Sequence, residues 1–230
     1  MAKIYWRRVR AELQRLRENP EDIEAGARLF LALGGMDDER AIAQLRSSER
    51  GRRLLTERPD LLAALADRER LRALPEGTLG REYLRFAERE QIFPEGLQDM
   101  MTKVQGEAQN ADVAYIRTRG RSLHDLLHVL TGYGRDPAGE IALLAFSAVQ
   151  AEARALDWLS LLGCFKALIR GRFEVLRLRR HGRRRAREAP WMIEQPWESL
   201  LERPIDEVRR ELRLWPVPEY EPLDIADLAA

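Results

Sequence analysis

Residues Arg121–Phe146 read RSLHDLLHVLTGYGRDPAGEIALLAF, and this stretch decides the fold class. Leu123, Leu126, Leu127 and Leu130 recur three or four residues apart, the period of a helix with one apolar face. Extended upstream through Val113 and Ile116, the pattern predicts a helix over about Ala111–Leu130. The run Gly132-Tyr133-Gly134-Arg135-Asp136-Pro137 interrupts it. Asp136 before Pro137 reads as an N-cap followed by a first-turn proline. A second helix is therefore expected to start there, pass through Glu140 and reach about Leu162.

The same period extends outward in both directions. Ile4–Leu16, Pro20–Leu33, Glu39–Leu45, Leu61–Leu74, Arg81–Glu88 and Glu95–Gly106 are predicted helices. Turn-forming pairs separate them: Asn19–Pro20, Gly34–Gly35, Arg58–Pro59, Pro75–Gly77 and Phe93–Gly96. Downstream, Trp158, Leu161, Leu162, Phe165, Leu168, Ile169, Phe173 and Leu176 form one stripe running to about Arg180, and a short helix is expected over Ile205–Leu214. No two-residue alternation persists beyond about four residues, so no strand is expected. The chain reads as all-α: a single-domain multi-helix bundle over 1–215, then an extended C-terminal tail over 216–230, rich in proline and acid.

Composition narrows the function. Of 230 residues, 45% are hydrophobic and 33% charged, which is globular composition and excludes wholesale disorder. The lone Cys164 excludes an internal disulfide or a zinc ribbon and suits a reducing compartment. Net charge is +1, which excludes a uniformly basic nucleic-acid binder. That total conceals a polarity. Arg170–Arg187 carries nine Arg against Glu174 alone, while 188–230 carries eleven acids against four Arg. Phe173 is the only aromatic in the basic band, so base stacking, and with it a nucleic-acid partner, is not expected. The N-terminal MAKIYWRRVRAEL lacks the apolar stretch of a secretory signal. The apolar windows Ile141–Val149 and Leu156–Ile169 are shorter than the ~20 residues that span a bilayer. The expectation is a soluble protein, or one that at most lies on a membrane.

The chemistry is concentrated in three histidines, two of them in His124-Asp125-Leu126-Leu127-His128. Residues four apart on a helix share a face, so both imidazoles can meet one ion, with Asp125 beside them. After eleven intervening residues comes Glu140, in the first turn of the next helix. Two imidazoles with carboxylates suit Zn²⁺, Fe²⁺ or Mn²⁺. The bland alternative is a surface salt-bridge cluster. Against it stand the apolar neighbours Leu126, Leu127, Val129 and Leu130, and the cost of burying four ionisable groups without a metal. Asp125 either ligates or orients His128 from behind. Tyr133 and Arg135 are candidates for contacting a ring hydroxyl or carboxylate, set against the plainer readings of a turn-packing Tyr and a solvated Arg. The lone His181 inside the basic band reads as a surface residue.

The stretch Arg121–Phe146, with HDxxH, eleven residues and then E, resembles the signature of the family of coenzyme Q biosynthesis protein 4. GRRLLTERPDLL (Gly51–Leu62), LRALPEGTLGREYLRF (Leu71–Phe86), ADVAYIRTRG before the motif, and WESLLERPIDEVRRELRL (Trp197–Leu214) carry the resemblance over most of Ile23–Leu214. It implies an all-helical protein of ubiquinone biosynthesis, in the cytoplasm or peripheral on the inner face of a membrane. It also implies a divalent metal, usually zinc, on His124, Asp125, His128 and Glu140. The activity implied is oxidative decarboxylation of a polyprenylated 4-hydroxybenzoate ring, its carboxylate replaced by a hydroxyl. The alternative is a lipid-binding organiser of the other quinone-biosynthesis enzymes with a structural metal. A homodimer is compatible with either. Leu143, Leu144 and Phe146 with Trp158 and Phe165 of the long stripe are candidates to line a groove for the prenyl tail, although such stripes are usually core. The Arg170–Arg187 band is a candidate for docking on anionic headgroups. Zinc peptidase and HD-type phosphohydrolase readings fail. Asp stands where the peptidase needs Glu, and no His precedes His124.

Overall fold

The computed structural model describes the chain except residues 1–3, 20–21, 93–100, 107, 215–216, 218 and 225–230. Among the described residues the fold is all-α, with a single isolated bridge, Thr78 to Pro204, and no strand. Contacts gather the chain into two compact units. One takes the described residues of Met1–Asp37, Tyr133–Glu188 and Pro216–Ala230, the other those of Asp38–Gly132 and Ala189–Trp215.

In the first unit, helix Pro137–Gln150 lies along both Arg154–Ile169 and Glu174–Glu188, and Trp6–Glu18 pairs with Ile23–Ala32. Gly182 sets the closest approach: a Cβ there would stand 2.4 Å from the Ala142 carbonyl oxygen. The Ser160 hydroxyl donates to the Ile141 carbonyl at 2.8 Å and accepts from Arg179 at 3.1 Å, pinning the neighbouring helix. A second apolar cluster joins Val9, Leu29, Ala32, Leu33 and Ala155.

The long helix expected from Pro137 to about Leu162 is two helices. Pro137–Gln150 ends at a reversal in which Glu152 takes φ 47° and the Ala153 amide reaches back to the Ala148 carbonyl at 3.1 Å. The sequence Gln150-Ala151-Glu152-Ala153 holds no Gly or Pro to announce that turn. The next break, at Gly171 with φ 75°, is of the ordinary glycine kind. Leu61–Leu74 likewise divides into Leu61–Ala66 and Arg68–Ala73, Asp67 ending one helix and capping the other.

The second unit is built round Ala111–Thr131, capped by the Asn110 side chain on the Val113 amide at 2.9 Å and closed by Gly132 at φ 76°. Asp38–Ser47, Leu61–Ala66 and Leu79–Arg89 pack against it. Helix Glu49–Glu57, absent from the sequence expectations, is capped by Ser48. Ile42, Leu45, Leu54, Leu55, Val113 and Ile116 form a core cluster. The C-terminal helix Ile205–Glu211 serves the central one directly: Arg209 donates to the Val129 and Leu130 carbonyls, both at 3.0 Å. Those carbonyls belong to the last turn, where no intrahelical donor remains.

The expected helix over Glu95–Gly106 falls partly outside the described residues; 101–105 are helical. Part of the expected tail, 216–230, is likewise outside them. Its described residues 219–224 are non-helical.

Candidate metal centre

His124 and His128 lie one turn apart on Ala111–Thr131, ring centroids 5.0 Å apart and nearly perpendicular. His128 is buried, and Phe86 from Leu79–Arg89 stacks on its ring at 5.8 Å with an interplanar angle of 25°. That contact fixes the imidazole plane, which a metal ligand requires. Leu126, Leu127 and Leu130 are buried beside it. The Gly132 amide closes the helix on the His128 carbonyl at 2.9 Å, and its positive φ lets the chain leave at once.

Glu140 stands in the first turn of Pro137–Gln150, which starts as the Asp136–Pro137 pair predicts: Asp136 is the N-cap, accepting from the Ala138 and Gly139 amides at 3.0 and 3.3 Å. One ligand atom from each of His124, His128 and Glu140 lies within 4.8 Å of the other two. Two imidazoles and one carboxylate are a donor set suited to a divalent zinc, iron or manganese ion. Three such donors on one ion would leave a position for a reactant. Asp125 is buried on the same helix and stands outside that group of three.

The loop residues differ from one another. Arg135 is exposed. Tyr133 is buried, its hydroxyl hydrogen-bonded to His181 Nδ1 at 2.8 Å and its ring covered by the Arg185 guanidinium at 5.2 Å. His181 is therefore a half-buried partner of Tyr133 and not the surface residue expected from its neighbours, because Gly182 draws its helix against Ala142. Burial, with Arg185 and Arg184 nearby, holds the His181 pKa below the ordinary histidine value. Burial also pushes the Tyr133 phenol up.

The proposed groove residues divide in two. Leu143 and Phe146 are fully buried. Trp158 is 45% exposed, Phe165 62%, Ile169 66% and Phe173 67%. Most of the stripe thus faces outward, while Leu162 packs partly buried against the cluster of Val9, Leu29 and Ala155. The Arg170–Arg187 band is not one solvated face either: Arg179 and Arg183 pair with Asp157, Arg172 with Glu174 and Arg184 with Glu188, while Arg185 is buried. Arg177, Arg180 and Arg187 are exposed.

Comparison with known proteins matches residues 20–218 to the family model described as coenzyme Q (ubiquinone) biosynthesis protein Coq4. The chain belongs to this family. It is 34% identical over 178 residues to the mitochondrial ubiquinone biosynthesis protein COQ4 homolog of Danio rerio, covering 74% of this chain and 62% of the relative. The Mus musculus homolog is 31% identical over 187 residues, covering 77% and 65%. The chain thus spans less than two thirds of the length of these relatives. A crystal structure from Nostoc punctiforme PCC 73102, described as a candidate ubiquinone biosynthesis protein, is similar in fold. Its TM-score is 0.66 at 24% identity, over 89% of this chain and 95% of that one. No described helix of this chain is long and apolar enough to cross a membrane; the curated relatives are labelled mitochondrial.

Arg119, Arg209, Phe86 and Tyr220 are the supporting residues that sequence reading missed. Arg119 lies in the family-like stretch ADVAYIRTRG, and nothing in its spacing distinguishes it from a solvated arginine.

Proposed function

We propose that this protein, in ubiquinone biosynthesis, replaces the ring carboxylate of a polyprenylated 4-hydroxybenzoate derivative by a hydroxyl at a divalent metal, zinc by family resemblance. His124, His128 and Glu140 hold the ion in this reading, with Asp125 as fourth ligand or as the group orienting His128. The supporting observation is the donor set, two imidazoles and a carboxylate with ligand atoms within 4.8 Å. When bound, the ion supplies Lewis-acid stabilisation of negative charge building on the ring oxygen. The protein's own part is positional. Phe86 stacks on the His128 ring and the buried Leu126, Leu127 and Leu130 flank it, and Arg135 in the loop before Glu140 is assigned here to the substrate carboxylate. The bond from the ring to the carboxylate breaks with release of carbon dioxide, water supplies the oxygen of the new ring hydroxyl, and the two electrons and two protons released pass to dioxygen, which leaves as hydrogen peroxide.

The test is metal analysis of the purified protein combined with turnover of a prenylated hydroxybenzoate followed by mass spectrometry. Metal-dependent conversion to the hydroxylated, decarboxylated ring is expected. Full metal loading with no turnover would sink the enzymatic reading in favour of the organiser, in which the metal is structural and other quinone-pathway enzymes are the partners.

One observation favours a lipid-facing role alongside either reading. Trp158, Leu161, Phe165, Ile169 and Phe173 are exposed together, and Arg177, Arg180 and Arg187 are exposed on the helix that follows. Aromatic and aliphatic side chains beside bases are the composition of a surface that lies in an anionic lipid interface. Phe165→Ser/Ile169→Ser protein should bind phosphatidylglycerol vesicles at least about tenfold more weakly than wild type, since each buried side chain contributes about 1.5–3 kcal/mol. Equal co-sedimentation of the two proteins would overturn this assignment.

A further inference from the structure

The described C-terminal residues make a specific attachment. Tyr220 donates its hydroxyl hydrogen to Asp136 Oδ2 at 2.9 Å and accepts from the Gly134 amide at 2.8 Å. The Leu223 amide donates to Asp136 Oδ1 at 3.1 Å, and Leu223 is buried. The same Asp136 carboxylate caps the helix through the Ala138 and Gly139 amides. One side chain thus accepts from four donors, two on the tail and two on the helix start. The site leaves no slack. A Cβ on Gly134 would stand 2.6 Å from Asp136 Oδ2 and 3.1 Å from the Tyr220 oxygen, and one on Gly139 would stand 2.1 Å from the Gly134 carbonyl oxygen. Glu140 follows directly, its amide on the Asp136 carbonyl at 2.9 Å.

We propose that Tyr220 is a positioning residue for Glu140: the C-terminal segment straps the Gly134–Asp136 loop and the helix start that carries this carboxylate. The inference rests on the metal reading above. Its actors lie in part outside the family match, which ends at 218, whereas the residue they hold lies within it. A carboxylate on a first helical turn moves with its cap, because the first amides have no other partner. Without the Tyr220 hydroxyl, Asp136 loses one of its tail donors and the Gly134 amide loses its acceptor. Glu140 then samples more orientations, and an ion it ligates is held less tightly.

The test uses the full chain with Tyr220→Phe, and Glu221→Gln as a neighbouring control. Zinc affinity is measured by competition with a chromophoric chelator, and amide hydrogen exchange is followed at Gly134, Ala138 and Gly139. For Tyr220→Phe, zinc affinity should fall about tenfold, in the range for groups that orient ligands. Exchange at Gly134 should quicken by a similar factor while exchange across Ala111–Thr131 stays as in wild type. Glu221→Gln should match wild type in both. Unchanged exchange at Gly134 and unchanged zinc affinity in Tyr220→Phe would overturn the strap. If wild type itself holds no zinc, the metal reading fails, and the exchange at Gly134 decides the strap alone. Faster exchange spread equally over all helices would also overturn it, since that is general destabilisation.

Discussion

His128→Ala protein should lose zinc, with affinity down by at least about 100-fold, beyond the 10–100-fold typical when an orienting group behind a ligand is removed. Two of three donors would remain, and no other described histidine or carboxylate belongs to the group to replace the third. The ring is also held by Phe86 and buried. Its removal leaves a cavity that should lower stability by about 2–3 kcal/mol. His128→Gln, which fills more of that space, separates lost ligation from lost packing: zinc should be lost in both variants, while circular dichroism shows helices retained in the second. Zinc retained at wild-type affinity in the folded Gln variant would remove His128 from the site.

Arg119→Met should lower the free energy of unfolding by about 3–5 kcal/mol, read from urea denaturation, with no direct effect on the metal donors. Arg119 is among the largest fully buried side chains. Its guanidinium donates to Glu198 Oε1 at 2.6 Å, to the Gln195 carbonyl at 2.7 Å and to the Ile193 carbonyl at 3.0 Å. One side chain on the histidine helix therefore ties down the segment that leads into Trp197–Leu200. Truncation leaves two carbonyls and a carboxylate without their donor, and that orphaning accounts for most of the cost. Arg119→Met/Glu198→Gln should regain part of the loss by removing the uncompensated charge. A double variant no more stable than the single would show that the carbonyl contacts carry the whole effect.

These two residues also show how far the sequence can be read. His124 and His128 are legible because a helix repeats its faces every turn, so a spacing of four residues already fixes a shared side. Asp136 is legible for the same reason, since the donors it caps lie two and three residues away. Arg119 is not. Its partner Glu198 is 79 residues distant, and in a chain with 39 basic residues a lone arginine carries no mark of burial. The reversal at Glu152 is hidden in a run with helix-forming residues and no glycine. Packing against Ile141, through Ser160 and the close approach at Gly163, decides that the chain must double back there.

The Trp158–Phe173 stripe teaches the opposite lesson. Periodicity identifies a common face correctly but not which way that face points, because amphipathic spacing is the same whether apolar residues meet a core or an interface. The sequence by itself determined the all-α class, the cap at Asp136 and the pairing of two histidines on one face, since each follows from hydrogen bonds and side-chain directions within a turn or two. Only the tertiary structure decided the outward aspect of the stripe, the burial of Arg119 and Arg185, and the Tyr133–His181 pair. It alone also decided that Tyr220 reaches Asp136 across 84 residues. Those outcomes depend on which distant surfaces meet, and no local rule encodes that.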